Sequence, residues 1–94
     1  MAKQKTIINV DDNKGVLSAL KMMLKIHFEN IIALPSPVTL LSAIRQENPA
    51  VVLLALNFTD ALNSGNEGLY WLHEIKRTNP SLPVVLFTAY ADIE

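Results

Sequence analysis

The chain has 94 residues, of which 50% are hydrophobic and 18% charged, with three Gly and five Pro; this is a globular composition with room for one domain, residues 1–94. A chain this short removes only roughly 60 to 65% of its unfolded surface from water, so its stability is marginal. Eight basic residues balance nine acidic ones, with no basic cluster beyond Lys3 and Lys5, which excludes direct binding to nucleic acid and to a membrane surface. The absence of cysteine excludes disulfides and thiolate metal sites, no apolar run reaches the ~20 residues of a membrane span, and no signal-peptide stretch opens the chain, so a cytoplasmic protein is expected.

Thr6 to Val10 is a β-branched run that ends on Asp11 and Asp12, a strand with polar chemistry at its C-terminal end. From Val16 to Phe28 the apolar positions Val16, Leu17, Leu20, Met23, Leu24, His27 and Phe28 recur at three and four residues, which predicts a helix with Asn13 as its N-cap. Ile31 to Leu34 is a second strand, closed by Pro35. Ser36 followed by Pro37 starts a second helix, because proline at the first helical position gives up no needed donor; the helix runs to about Glu47, where Asn48 and Pro49 stop it. Val51 to Leu56 is a continuous apolar run, as expected for a parallel strand covered on both faces.

Asn57 to Asn66 reads as a long polar loop at that strand's end. Leu69, Leu72 and Ile75, with Trp71 beside them, mark a third helix that ends before Asn79 and Pro80, and Val84 to Thr88 forms a fourth strand after Pro83. Strand and helix alternate throughout, which implies an α/β domain with a parallel sheet and right-handed crossovers. In such sheets ligands sit outside the carboxyl ends of the strands, and here those ends carry Asp11 and Asp12, Ala55 to Asn57, and Thr88. Two adjacent carboxylates at a strand end suit Mg²⁺, although an Asp-Asp pair also serves as a helix cap.

Four motifs in order carry a resemblance to a known family: IINVDDN (Ile7 to Asn13), VVLLALNF (Val51 to Phe58), SGNEGL (Ser64 to Leu69) and VVLFTAY (Val84 to Tyr90). Together they resemble the receiver domain of two-component response regulators, over essentially the whole chain. The longer loop after the third strand is most similar to the receivers of enhancer-binding transcriptional activators. The resemblance implies a flavodoxin-like, three-layer α/β/α sheet, of strand order 2-1-3-4 as far as this sequence runs, with the family's last helix, strand and helix falling beyond Glu94. It also implies that Asp11, Asp12 and the backbone carbonyl of Asn57 hold Mg²⁺, that the Thr88 hydroxyl binds a phosphoryl oxygen, and that the small Ala89 leaves room beside it.

One position departs from the family's pattern. Ala55 stands where the phosphate-accepting aspartate belongs, and a methyl group can neither attack phosphorus nor help to hold the metal. Removing one of three clustered carboxylates weakens Mg²⁺ binding and relieves repulsion at the same time. The implied function is a phosphorelay receiver, not an enzyme, fed by a sensor histidine kinase, joined to a transcriptional output domain and blocked at Ala55. The competing reading is a phosphorylation-independent interaction domain that binds through its first helix or fourth strand. With no fifth strand beside it, the Val84 to Thr88 edge is a template for self-association.

The remaining candidates read more plainly. Asp60 lies five residues past position 55, with nothing to fix it beside Asp12 as a substitute acceptor. His27 and His73 lack a second ligand at metal-site spacing. Tyr70 and Trp71 fit a helix that packs on a sheet better than a partner surface.

Overall fold

A computed structural model of the chain describes residues 4–55 and 66–87. Its elements run β1 (Gln4–Val10), α1 (Lys14–Leu24), β2 (Phe28–Leu34), a 3-10 turn (Pro37–Thr39) leading into α2 (Leu40–Glu47), β3 (Val51–Ala55), α3 (Asn66–Thr78) and β4 (Val84–Phe87). The four strands form one parallel sheet of order β2-β1-β3-β4, the flavodoxin-like arrangement that the resemblance implies.

The core lies mainly on the face covered by α2 and α3. Ile8, Val10, Val52 and Leu54 from the two central strands are fully buried there against Leu40 and Ile44 of α2 and Ile75 of α3. Ile32 and Leu34 from β2, with Val84 and Leu86 from β4, close the cluster as partly buried neighbours, and Trp71 packs on it from α3. Alternation along the paired strands turns Ile7, Asn9, Leu53 and Val85 to the opposite face. There α1 contacts β1 and β2 and buries Leu17, while Val85 on β4 stays half exposed.

Local chemistry fixes the element ends. The Asn13 side chain accepts from the Val16 N–H at 3.1 Å, and the Ser36 hydroxyl accepts from the Val38 N–H at 3.2 Å ahead of Pro37, so both helix starts lie where the capping residues place them. Asn48 ends α2 in the left-handed conformation (φ 49°), which asparagine tolerates, and its N–H reaches the Ile44 carbonyl at 3.0 Å. After α3, the Lys76 ammonium donates to the Leu82 carbonyl at 2.6 Å, tying the turn into β4 back to the helix. Arg77 and Glu74 form an exposed ion pair one helical turn apart, of the kind that adds little stability.

Three sequence expectations are corrected. The first helix ends at Leu24, not Phe28, because Lys25 to His27 form a turn and Phe28 already belongs to β2, where it pairs with Gln4. That strand therefore begins three residues earlier than its apolar run. Met23 and His27, placed on the apolar face by periodicity, are exposed. The stripe that touches the sheet is narrower and centres on Leu17, Leu20 and Leu24.

Asn9 is the anomaly of the interior. Its side chain is fully buried between Ala33 of β2 and Leu53 of β3, and among the described residues neither Nδ2 nor Oδ1 has a hydrogen-bond partner. Burying a primary amide unsatisfied costs on the order of 1–3 kcal/mol. Asn9→Val, which keeps a strand-forming side chain of similar size, is expected to raise stability by about 2 kcal/mol. Thermal denaturation checks this: an unchanged or lower Tm would mean that the amide is satisfied in solution.

Candidate functional site

The candidate site is built by strand register. Val10 of β1 stands opposite Leu54 of β3, so the next residue on each chain, Asp11 and Ala55, falls side by side at the carboxyl end of the sheet. Parallel neighbours run about 4.8 Å apart, which places the Ala55 methyl within reach of a carboxylate at position 11 or 12. Ala55 is itself buried, and it pairs in register with Phe87 on the other side.

Asp11 is pinned from three directions. Its N–H donates to the Leu34 carbonyl at 3.1 Å, continuing the β1–β2 ladder by one residue, and its Oδ1 accepts from the Asn13 N–H at 2.9 Å. It also shares a side-chain hydrogen bond with Asp12, which is half-buried next to it. Asn13, one residue on, caps α1, so the acidic pair occupies the turn between the strand end and the helix start. Of the two roles weighed for the pair, the structural one is visible here: Asp11 organises the turn into α1.

Burial pushes the Asp11 carboxyl above its ordinary value of 3.8. The hydrogen bond from Asn13 opposes that shift, while the charge of Asp12 and the hydrogen bond with it add to it. Folding therefore favours the protonated form, and the contribution of Asp11 to stability declines as pH rises from 3.8 through its higher folded-state value. Asp11→Asn retains the oxygen that accepts from Asn13 and carries no charge. Its melting temperature at pH 7 is expected to exceed that of the parent in metal-free buffer, with the gap closing as pH falls toward 4. A gap that persists well below 3.8, where both states are protonated, would assign the effect to packing and not to the charge.

Two adjacent carboxylates at a strand end suit a hard divalent cation that keeps water on its other positions. Among the described residues, no group of three or more His, Cys, Asp or Glu side chains converges, so the acidic pair stands without a third side-chain ligand. Asn57, Thr88, Ala89 and Asp60 lie outside the described residues. His27 and His73 are exposed on separate elements. Tyr70 is exposed and meets Trp71 edge to face at 5.1 Å, while Trp71 is partly buried on the core. Among the described residues, no helix is long and apolar enough to cross a membrane.

A cleft with a volume of about 290 Å³ lies at the other end of the sheet, between the turns that precede β3 and β4. Asn48, Pro49, Asn79 and Pro83 line it, far from the acidic pair. Sequence reasoning missed Asn9, and the signal was there to read: it is the one polar residue inside the run Ile7 to Val10.

Comparison with known proteins agrees with this geometry. The family profile described as response regulator receiver domain matches residues 7–94. The probable transcriptional regulatory protein TcrX of Mycobacterium tuberculosis is 32% identical over 89 residues, which are 95% of this chain and 36% of that protein, so the chain spans about a third of the curated relative's length. Among solved structures, the N-terminal signal receiver domain of a two-component system response regulator from Bacteroides fragilis is 61% identical with a TM-score of 0.82, over 96% of this chain and 70% of that one. The response regulator DrrB from Thermotoga maritima, an OmpR/PhoB homologue, is 27% identical with a TM-score of 0.73, over 95% of this chain and 37% of that one.

Proposed function

Because the chain belongs to the response regulator receiver domain family, we propose that it is a receiver module of a two-component pathway held permanently unphosphorylated by Ala55. The observation that supports this is the register that sets the buried Ala55 methyl beside Asp11 at the carboxyl end of the sheet. An acceptor carboxylate at 55 would lie next to the acidic pair, where a cation could bridge them. With alanine there, no oxygen is available to attack phosphorus, and the module cannot become an acyl phosphate.

Mg²⁺ fits the two carboxylates, and when bound it offsets the charge on a phosphoryl group. In this reading Asp11 and Asp12 hold the ion, the Asn57 carbonyl adds a ligand, Thr88 donates to a phosphoryl oxygen and Ala89 keeps the space open. The loss of the third carboxylate leaves Mg²⁺ binding weak. A sensor histidine kinase would be the upstream partner in the parent system. A transcriptional output domain of the enhancer-binding type would be the downstream one; the likeness to a probable transcriptional regulator supports transcription control in general. The module is a cytoplasmic switch element and not an enzyme.

Restoring the acceptor tests this. In Ala55→Asp, a carboxylate oxygen should attack the phosphorus of acetyl phosphate in the presence of Mg²⁺, forming an acyl phosphate and releasing acetate. Intact-mass measurement should show one added phosphoryl group on the variant and none on the parent. If the variant in the full-length protein takes up no phosphate, the receiver reading fails and a phosphorylation-independent interaction domain replaces it. That second reading is favoured by Ala55 alone, since a module with no acceptor can still present its surfaces.

Self-association through β4 belongs to the same proposal. Among the described residues β4 pairs with β3 alone, and Val85 is half exposed on the α1 face of the sheet; a strand edge left unpaired would template another chain. Light scattering at high concentration is expected to show a dimer or larger species that Val85→Lys dissociates. A clean monomer mass with cooperative melting would contradict it.

A further inference from the structure

The turns that lead from α2 into β3 and from α3 into β4 are built alike, and they meet at the amino-terminal end of the sheet. Each helix is followed by Asn and then Pro. The Asn48 N–H bonds the Ile44 carbonyl at 3.0 Å and the Asn79 N–H bonds the Ile75 carbonyl at 2.7 Å, after which Pro49 and Pro80 have no N–H to continue the helix. The chain is then tied down at once: the Ala50 N–H bonds the Thr6 carbonyl at 2.8 Å, the Val52 N–H the Pro83 carbonyl at 3.0 Å, the Leu82 N–H the Asn79 carbonyl at 3.1 Å, and Lys76 holds the Leu82 carbonyl. The cleft of about 290 Å³ between these turns is therefore a preformed hollow, near the lower end of the ~300–1,000 Å³ range of ligand sites. Ile44, Pro49 and Leu82 give it an apolar wall, while Asn48 and Asn79 bring one carboxamide from each turn and Ser81 a hydroxyl. Asn79 Nδ2 donates to Thr78 Oγ1 at 3.3 Å, which leaves its Oδ1 to accept. The Asn48 carboxamide and the Ser81 hydroxyl make no hydrogen bond among the described residues.

We propose that this cleft docks a short, uncharged, extended peptide segment of another protein, with one aliphatic side chain seated against Ile44, Pro49 and Leu82. A carboxamide carries a donor and an acceptor together, the complement of a peptide unit, and one is supplied by each turn. The electrostatics select a neutral ligand. The ends of α2 and α3 bring about half a negative charge each. Arg45, Lys76 and Arg77 in those last turns, with Glu47 and Glu74 beside them, offset it. Among the described residues no charged side chain lines the cleft to pair with a phosphate or an ammonium group, and no aromatic ring lines it to stack on a base. Hydrogen-bonded walls and proline rings hold the hollow open before anything binds, so little ordering cost is left to the complex. The cleft lies at the opposite end of β3 from Ala55, roughly 15 Å along the strand, and does not depend on the phosphate reading.

The probe is N-acetyl-leucine N-methylamide, which carries two peptide units around one aliphatic side chain and no charge, titrated into the ¹⁵N-labelled full chain. Shifts should concentrate on the backbone amides of residues 48, 50, 79, 81 and 82 and leave those of 11, 12 and 55 in place. Asn48→Gly, which keeps the left-handed backbone at that position, and Asn79→Ala on the other turn should each weaken binding roughly fivefold. Ala50→Leu, which adds bulk to the lining, should weaken it at least as much. Substitutions on two separate turns keep the reading independent of whether any one variant folds, which the melting temperature of each reports. N-acetylglycine N-methylamide, without the side chain, and free leucine, with its two charges, should both bind more weakly than the capped leucine. The proposal is overturned if the probe produces no shifts, if they fall outside those amides, or if the folded variants bind it as the parent does. It is equally overturned if the glycine compound or free leucine binds as tightly, which would assign the cleft to a generic amide or to a charged small molecule.

Discussion

The pairing of β1 with β3 is the constraint on which everything else depends. Four consecutive pairs from Ile7–Val51 to Val10–Leu54 fix that register, and the buried side chains Ile8, Val10, Val52 and Leu54 hold it, since a slip of one residue would turn the two on the slipped strand away from α2 and α3. The same register decides the chemistry. It brings Asp11, the first residue past β1, level with Ala55, the last residue of β3, so packing on one face of the sheet sets the geometry at its end.

The two faces of the sheet differ in how well they are satisfied. The α2 and α3 face is apolar and closed. On the α1 face, Asn9 is buried with both polar atoms unpaired among the described residues, Val85 is half exposed, and α1 contacts β1 and β2. An unsatisfied amide in a domain of marginal size is a large fraction of its stability, so this face is the weaker half of the molecule. Asp11 adds a second local cost, a buried carboxyl next to another carboxyl, which a bound cation or a proton relieves.

Most of the architecture is legible in the sequence because the signals are local. Asn13 and Ser36–Pro37 mark helix starts by capping chemistry, Asn48–Pro49 and Asn79–Pro80 mark ends, and the unbroken run Val51 to Ala55 announces a central strand. What periodicity misplaces is set by tertiary contact. Phe28 continues the helical spacing of α1 but pairs with Gln4, and Glu29 and Asn30 conceal the start of β2, because an edge strand tolerates polar residues that a central one does not. Met23 keeps helical spacing but misses the sheet, which only the docking angle of α1 decides. At the candidate site the acidic pair and Ala55 are legible from motif order, whereas the hydrogen bond between Asp11 and Asp12 and the raised Asp11 carboxyl depend on burial, which no local pattern encodes.

The proposed function rests on the ends of β1 and β3 lying together as one site for a cation and a phosphoryl group, with alanine at 55 where an acceptor carboxylate would stand. The most direct measurement is a Mg²⁺ titration of the ¹⁵N-labelled parent and of Ala55→Asp, followed by the backbone amides of residues 11, 12 and 55. These amides are expected to move together in both proteins, with affinity roughly tenfold or more tighter in Ala55→Asp. Equal affinities, or Mg²⁺-dependent shifts confined to other parts of the chain, would contradict it.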